Sequence, residues 1–265
     1  MDTTWTARIQ RVAGGVNLHP DFGGAGEYGI HVNVVPESQP LVPISLGLYA
    51  DESDVGPYAF PGPSDVLIEG NSPTSCNSDC HLLVLQSGTC MLYEGGGCEY
   101  VSNQWQCDAG AIWDLKSNSY GQRPQGWTSV DAAGLPVAAG ILRYDEVISG
   151  AVRHAIRFTL NCTTDKYVEP ATHYAKQGSC DAADAPPMGL RVRLNRDFDI
   201  SGFGPNVRTV LTAMQHYGMI LADNGSNFYF QGDMNPAWAD EDLDELKSIP
   251  SSEFEVVGPV GPLEP

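Results

Sequence analysis

Alternation with a period of two marks the clearest elements of this chain. In "AVRHAIRFTL" (151–160), Val152, His154, Ile156, Phe158 and Leu160 fall on one side, and Arg153, Arg157 and Thr159 on the other. This is the pattern of a strand with one face on a core. "MGLRVRLN" (188–195) repeats it, with Met188, Leu190, Val192 and Leu194 inward and Arg191 and Arg193 outward. As sheet neighbours, the two strands would place four arginines on one exposed face. Further strands are predicted in "YGIHVNVVP" (28–36), "PLVPISLGLY" (40–49), "DVLIEG" (65–70), "GAIWDL" (110–115) and "MILADNG" (219–225). "HLLVLQSGTCMLYE" (81–94) reads as two apolar strands turning at Ser87-Gly88. Residues 1–27 are Gly-rich and weakly patterned.

Helical spacing is confined to the C-terminal third. "PNVRTVLTAMQHYG" (205–218) has Pro205 at its start, Gly218 past its end, and Val207, Val210, Leu211, Met214 and Tyr217 on one stripe. "ADEDLDELKSI" (239–249) reads as a short acidic helix with Leu243 and Leu246 inward. These elements predict a mainly β protein, a β-sandwich or jelly roll with long loops and one or two short C-terminal helices. The alternative is an α+β domain whose sheet carries the 205–217 helix on one face. We expect one globular domain over residues 1–257, then a flexible tail, 258–265.

Composition agrees. Gly (29) and Pro (19) are frequent among the 265 residues and leave room only for short elements joined by turns. A formal charge of −19 repels a phosphate backbone, so no nucleic-acid partner is expected. The basic residues nevertheless gather between Arg143 and Arg196. No apolar run approaches the roughly 18 residues of a membrane span. "MDTTWTARIQ" is not a signal peptide, yet the seven cysteines point to an exported protein whose leader is absent from this chain. Their spacing predicts local bridges Cys76–Cys80, Cys98–Cys107 and Cys162–Cys180, with Cys90 a buried free thiol in its apolar hairpin. Zinc is the rival reading of Cys76-x₃-Cys80, weakened because no second Cys/His pair follows at finger-like spacing. Asn161-Cys162-Thr163 and Asn224-Gly225-Ser226 are glycosylation triplets.

Six stretches carry a resemblance: "LHPDFGG" (18–24), "YADESDVGPY" (49–58), "GWTSVDAAGLPVAAGILRYDEV" (126–147), "RHAIRF" (153–158), "PPMGLRVRL" (186–194) and "YGMILADNGS" (217–226). In that order they resemble a family of uncharacterised exported proteins, mainly bacterial, some joined to carbohydrate-binding or fibronectin-like modules. The likeness spans roughly residues 16–257. It implies an extracellular setting, and glycans by association only. The Cys98–Cys107 excursion looks like an embellishment on the shared pattern.

The acids are the first candidates for chemistry. Glycoside hydrolysis takes two carboxylates across the scissile bond, one protonated and one ionised. Asp51, Asp54, Asp131, Asp145, Glu146 and Asp223 lie in or beside loops of small residues. A catalytic pair would be drawn from Asp131, Asp145 and Glu146; the bland reading is that loop carboxylates cap turns or sit in water. His154 and His173, with His81 and His19, offer a base or a metal site if their strands meet, although a lone His on an apolar face is more often a core residue. Ser129 lacks a nucleophile elbow, and the Gly-rich runs lack the Lys-Ser/Thr of a phosphate loop, so no cofactor is expected.

Substrate contacts are expected from Trp127, Arg143, Tyr144, Asp54 and Asp223. Trp105, Trp113, Trp238 and Tyr120 are further stacking candidates, offset by ordinary core packing. An arginine face would suit an acidic polysaccharide; its bland counterpart is neutralisation of surface acids. The expectation is therefore a secreted, glycan-degrading hydrolase or lyase. The rival is a non-catalytic extracellular module that binds glycan or forms filaments. A deep cleft with two carboxylates favours the first, and acids tied to backbone amides favour the second.

Overall fold

The computed structural model describes residues 1–23, 28–77, 79–117, 123–178 and 180–265. It is mainly β, sandwich-like, with several sheets and short helices. In chain order the elements are α1 (Thr3–Ala13), β1 (His19–Pro20), β2 (Val32–Val35), β3 (Ser45–Leu46), β4 (Leu82–Gln86), β5 (Met91–Gly96), β6 (Glu99–Val101), β7 (Gln104–Cys107) and β8 (Ala109–Asp114). There follow α2 (Val137–Gly140), α3 (Tyr144–Ile148), β9 (Ile156–Leu160), β10 (Arg191–Leu194), α4 (Pro205–His216), β11 (Met219–Asn224), β12 (Tyr229–Phe230), α5 (Asp240–Leu246) and β13 (Phe254–Val256).

The largest sheet has six strands in the order β1-β12-β9-β11-β10-β13. Its inner face carries Phe158, Leu221, Val192 and Phe230, all fully buried. Helix α4 covers this face with Val207, Val210, Leu211 and Met214, as its stripe predicts. The α+β alternative therefore describes this helix-on-sheet layer, inside a protein that is mainly β. Helix α1 was not expected. Its signals are an N-cap, Asp2, whose carboxylate accepts from Trp5 N at 3.0 Å, and Ile9 and Ala13 one turn apart. Gly14-Gly15 ends it and masks the pattern.

A second sheet, β2-β4-β5-β8, is covered on both sides. Leu82 and Val84 of β4 enter one cluster with Tyr58, Phe60 and Trp105; Leu83 enters another with Leu92, Trp113 and Ile141. Burial on both faces explains why 81–86 reads as an unbroken apolar run. Two strands and a turn were predicted over 81–94, and β4 and β5 supply them. A third sheet, β3-β7-β6, is small. Residues 65–70 form no strand, and 40–49 keeps only Ser45–Leu46.

All three predicted disulfides are present. Cys76 and Cys80 are thus bonded to each other, which removes them as zinc thiolates. Cys90 is free but exposed rather than buried, because it sits at the hairpin turn with φ 59°. The C-terminal segment is held near its end, where Tyr167 and Glu264 exchange backbone hydrogen bonds. Among the described residues no helix is long and apolar enough to cross a membrane.

The four-arginine face does not exist. β11 lies between β9 and β10, and the face of β9 opposite the helices is covered by the 126–143 segment, so Arg157 is 5% exposed. Arg153 precedes the strand; Arg191 donates to Tyr217 O, and Arg193 pairs with Glu255 at 3.0 Å. Phe158 packs at the centre of the main core. Phe158→Ala is expected to cost about 3–5 kcal/mol, read as a lower urea midpoint with unchanged slope.

Candidate active site

A cleft of about 810 Å³ opens on the sheet face opposite α4. One wall is built from Ser45–Gly47, the Cys76–Cys80 loop and the β6–β7 hairpin; the other from 128–132, His173 and Asp223–Asn224. Its lining is acidic: Asp79, Glu99, Asp108, Asp131 and Asp223, against His81 and His173.

Asp131 answers for the small residues around it. Its Oδ1 accepts from Ala133 N and Leu135 N, both at 3.0 Å, and from Ser129 Oγ. These bonds wrap 129–135 around the carboxylate. Gly134 completes the wrap with φ +71°; a Cβ there would lie 2.1 Å from Thr172 Oγ1 and 2.6 Å from Trp127 O. The Asp131 side chain is only 1% exposed.

Asp223 reaches the cleft through a β-bulge. Leu221 pairs with Phe158, but Asp223, not Ala222, pairs with Thr159. The extra residue turns Asp223 from the core face to the cleft face. The bulge also grips the Asp131 loop, because Ala222 O accepts from Ala133 N at 3.0 Å. The Asp223 side chain keeps 30% of its surface free.

Arg157 lies beneath both acids. Its Nη2 is 3.7 Å from Asp131 Oδ2 and 3.5 Å from Asp223 Oδ2. The two carboxylates can be no farther apart than the sum of these distances. Gln231 Oε1 accepts from Nη1 at 3.0 Å. Among the described residues, Asp131 Oδ2, Arg157 Nε and Arg157 Nη2 are buried with no hydrogen-bond partner. Burial pushes the Asp131 carboxyl up to about 7; Asp223 adds to the rise, and Arg157 opposes it. Burial also raises Asp223, again against Arg157.

Two histidines face the same cleft. His173 points Nδ1 at Ala132 O (3.0 Å), stacks on Tyr174, and carries Nε2 3.6 Å from Glu52. His81 is fixed at both nitrogens: Nδ1 to Glu69 Oε2 at 2.6 Å and Nε2 to Val130 O at 3.0 Å. Burial opposes its charge, but Glu69 outweighs that and lifts it to about 9.

The other expected residues lie elsewhere. Asp145 and Glu146 sit on α3, which packs on α4, not on the cleft. They form a separate cluster in which Arg143 pairs with both and His154 Nε2 lies 3.1 Å from Glu146. Burial alone would lower His154, but its bond to Glu146 raises it. His154 is not on the core face because β9 begins only at Ile156, opposite Met219 at the start of β11. Tyr144 packs edge-on against Trp238. Asp54 pairs with Arg123 at 2.9 Å and accepts from Ile112 N. Trp127 lies beside Arg123, outside the cleft lining. Trp105, Trp113 and Trp238 are buried, each with its indole N–H donated internally. Tyr120 lies outside the described residues.

Among the described residues, the tyrosine that does line the cleft is Tyr49, 41% exposed, which sequence reasoning passed over. Arg157, Glu69, Asp79 and His81 were also missed as a group. Asn224, of the second glycosylation triplet, has its amide engaged by Ala175 O and Thr163 Oγ1. No protein-family model, curated protein or solved structure matches the chain.

The raised Asp131 carboxyl has a thermodynamic signature. Unfolded, it loses its proton near the ordinary value of 3.8; folded, near 7. Between these values the folded state binds more protons, so this group's contribution to stability falls as pH rises. Asp131→Asn removes that dependence and keeps an acceptor for the 133 and 135 amides. The urea midpoint of Asp131→Asn relative to wild type should therefore climb from about pH 4 to about pH 7. A flat difference would place the proton elsewhere.

Proposed function

We propose that the cleft binds a glycan and that the Asp131–Arg157–Asp223 group cleaves it by hydrolysis. The observation that carries this reading is one buried guanidinium shared by two carboxylates in a cleft wall, both pushed up by burial, Asp131 to about 7. Asp223, with its free surface, meets the sugar. Asp131, behind it, positions Arg157. Asp223 gives its proton to the leaving oxygen as the glycosidic C–O bond breaks, water bonds to the anomeric carbon, and the proton that water loses returns to Asp223. Exposed Tyr49 offers a face for a sugar ring. The acidic lining favours a neutral or amino-sugar polymer over an acidic one. Secretion accords with the three disulfides.

A second reading has its own support. Asp131 Oδ1 is fully occupied by backbone amides, as in a structural turn. On that reading the chain is a non-catalytic extracellular module that binds glycan. Incubation with neutral, amino-sugar and acidic polysaccharides, followed by assay of new reducing ends, separates the two. The hydrolase reading expects release from a neutral or amino-sugar polymer, reduced about 10²-fold or more in Asp223→Asn. Binding without release from any polymer would favour the module.

A further inference from the structure

We propose that Glu69, Asp79 and His81 form a binding site for a zinc-type divalent cation in the cleft wall, beyond the carboxylate chemistry proposed above. One ligand atom from each of the three lies within 4.8 Å of the others. One imidazole and two carboxylates are the hard-to-borderline donor set that Zn²⁺ accepts. Three protein ligands leave the fourth position of a tetrahedral ion open to the cleft.

The orientation of His81 is the independent observation. Its ring is buried, and Nε2 lies 3.0 Å from Val130 O. Donation of a metal-binding imidazole's second N–H to a backbone carbonyl is the usual device that fixes its tautomer and turns the other nitrogen toward the ion. Here that other nitrogen is Nδ1, which faces Glu69 Oε2 at 2.6 Å. With Nε2 as the donor, a lone pair on Nδ1 would meet a carboxylate at that distance. A cation must stand between them: a proton, or a metal with a modest opening of the pair.

The surroundings hold the ligands in place, with Glu69 Oε2 closed onto His81 Nδ1 as an ion pair that a bound metal would open by displacing the proton. Asp79 is exposed and is bracketed by the Cys76–Cys80 disulfide, and its carbonyl accepts from Gly97 N at 2.8 Å. Glu69 N donates to His81 O, so the two ligands share a backbone bond as well as a side-chain one. Asp79 and His81 line the cleft, so an ion bound here faces the same space as Asp223. Ca²⁺ and Mg²⁺ fit less well, since both prefer an all-oxygen shell of higher coordination.

Titration of chelator-stripped protein with Zn²⁺ by calorimetry, with Mg²⁺ as the comparison, tests this without reference to any substrate. The expected result is one Zn²⁺ per chain, bound more tightly than Mg²⁺ and weakened about tenfold or more in both His81→Gln and Asp79→Asn. His216→Gln, at an exposed helix end, should bind as wild type does. Asp79 is exposed, so its variant keeps the test open if His81→Gln fails to fold. Absence of Zn²⁺ binding, or binding unchanged in Asp79→Asn, overturns the site. Either result leaves the glycan reading standing, because that reading depends on Asp131, Arg157 and Asp223.

Discussion

The buried guanidinium of Arg157 is the constraint around which the cleft is arranged. Taking an isolated charge out of water costs several kcal/mol even after relaxation, so Arg157 needs anions beside it. The chain supplies two, Asp131 and Asp223. Two carboxylates around one arginine leave an excess of negative charge in a poorly solvated place. Burial and that excess charge push the more enclosed acid, Asp131, up to about 7, so it takes up a proton far more readily than an ordinary carboxylate. One desolvated cation thus accounts for the pairing and for the unequal behaviour of the two acids. The unmade hydrogen bonds at Asp131 Oδ2 and at Arg157 Nε and Nη2 mark where this arrangement is unfinished.

The rest of the fold brings these three side chains together. β9 presents Arg157, the bulge in β11 presents Asp223, and the 129–135 wrap presents Asp131. The segment carrying Asp131 is anchored to the second sheet by Glu94 of β5. That buried carboxylate accepts from Trp113 Nε1, Val137 N and Ala138 N, and so closes the start of α2. Both sheets therefore grip the floor of the cleft. Its rim is different in kind, made of the Cys76–Cys80 loop and the β6–β7 hairpin, each closed by a disulfide. A rigid floor with a stapled rim suits a site that must hold side chains to fixed positions.

Most of the predicted strands, the long C-terminal helix and all three disulfides were legible because they rest on local pattern: alternation, a 3.6-residue stripe, and short Cys spacings; the strands expected at 65–70 and over most of 40–49 were not there. Asp131 and Asp223 were legible as loop acids, and His173 as a cleft candidate. Their partner was not. Arg157 alternates outward on its strand like Arg191 and Arg193, and only the layer formed by 126–143 makes it a buried cation. The bulge that redirects Asp223 is invisible to a strict period of two. Asp145, Glu146, Arg143 and His154 do meet, but on α3, away from the cleft. Nearness in sequence to Asp131 was no guide, since the chain passes through α2 and onto the helical side of the sheet between them.

The most direct test of this account is the protonation of Asp131 itself. Carboxyl-carbon NMR on selectively ¹³C-labelled protein can follow its titration in wild type and in Asp223→Asn. We expect a midpoint near 7 in wild type, falling when the Asp223 charge is removed. A midpoint near the ordinary carboxylate value of 3.8, unmoved by that substitution, would contradict the account.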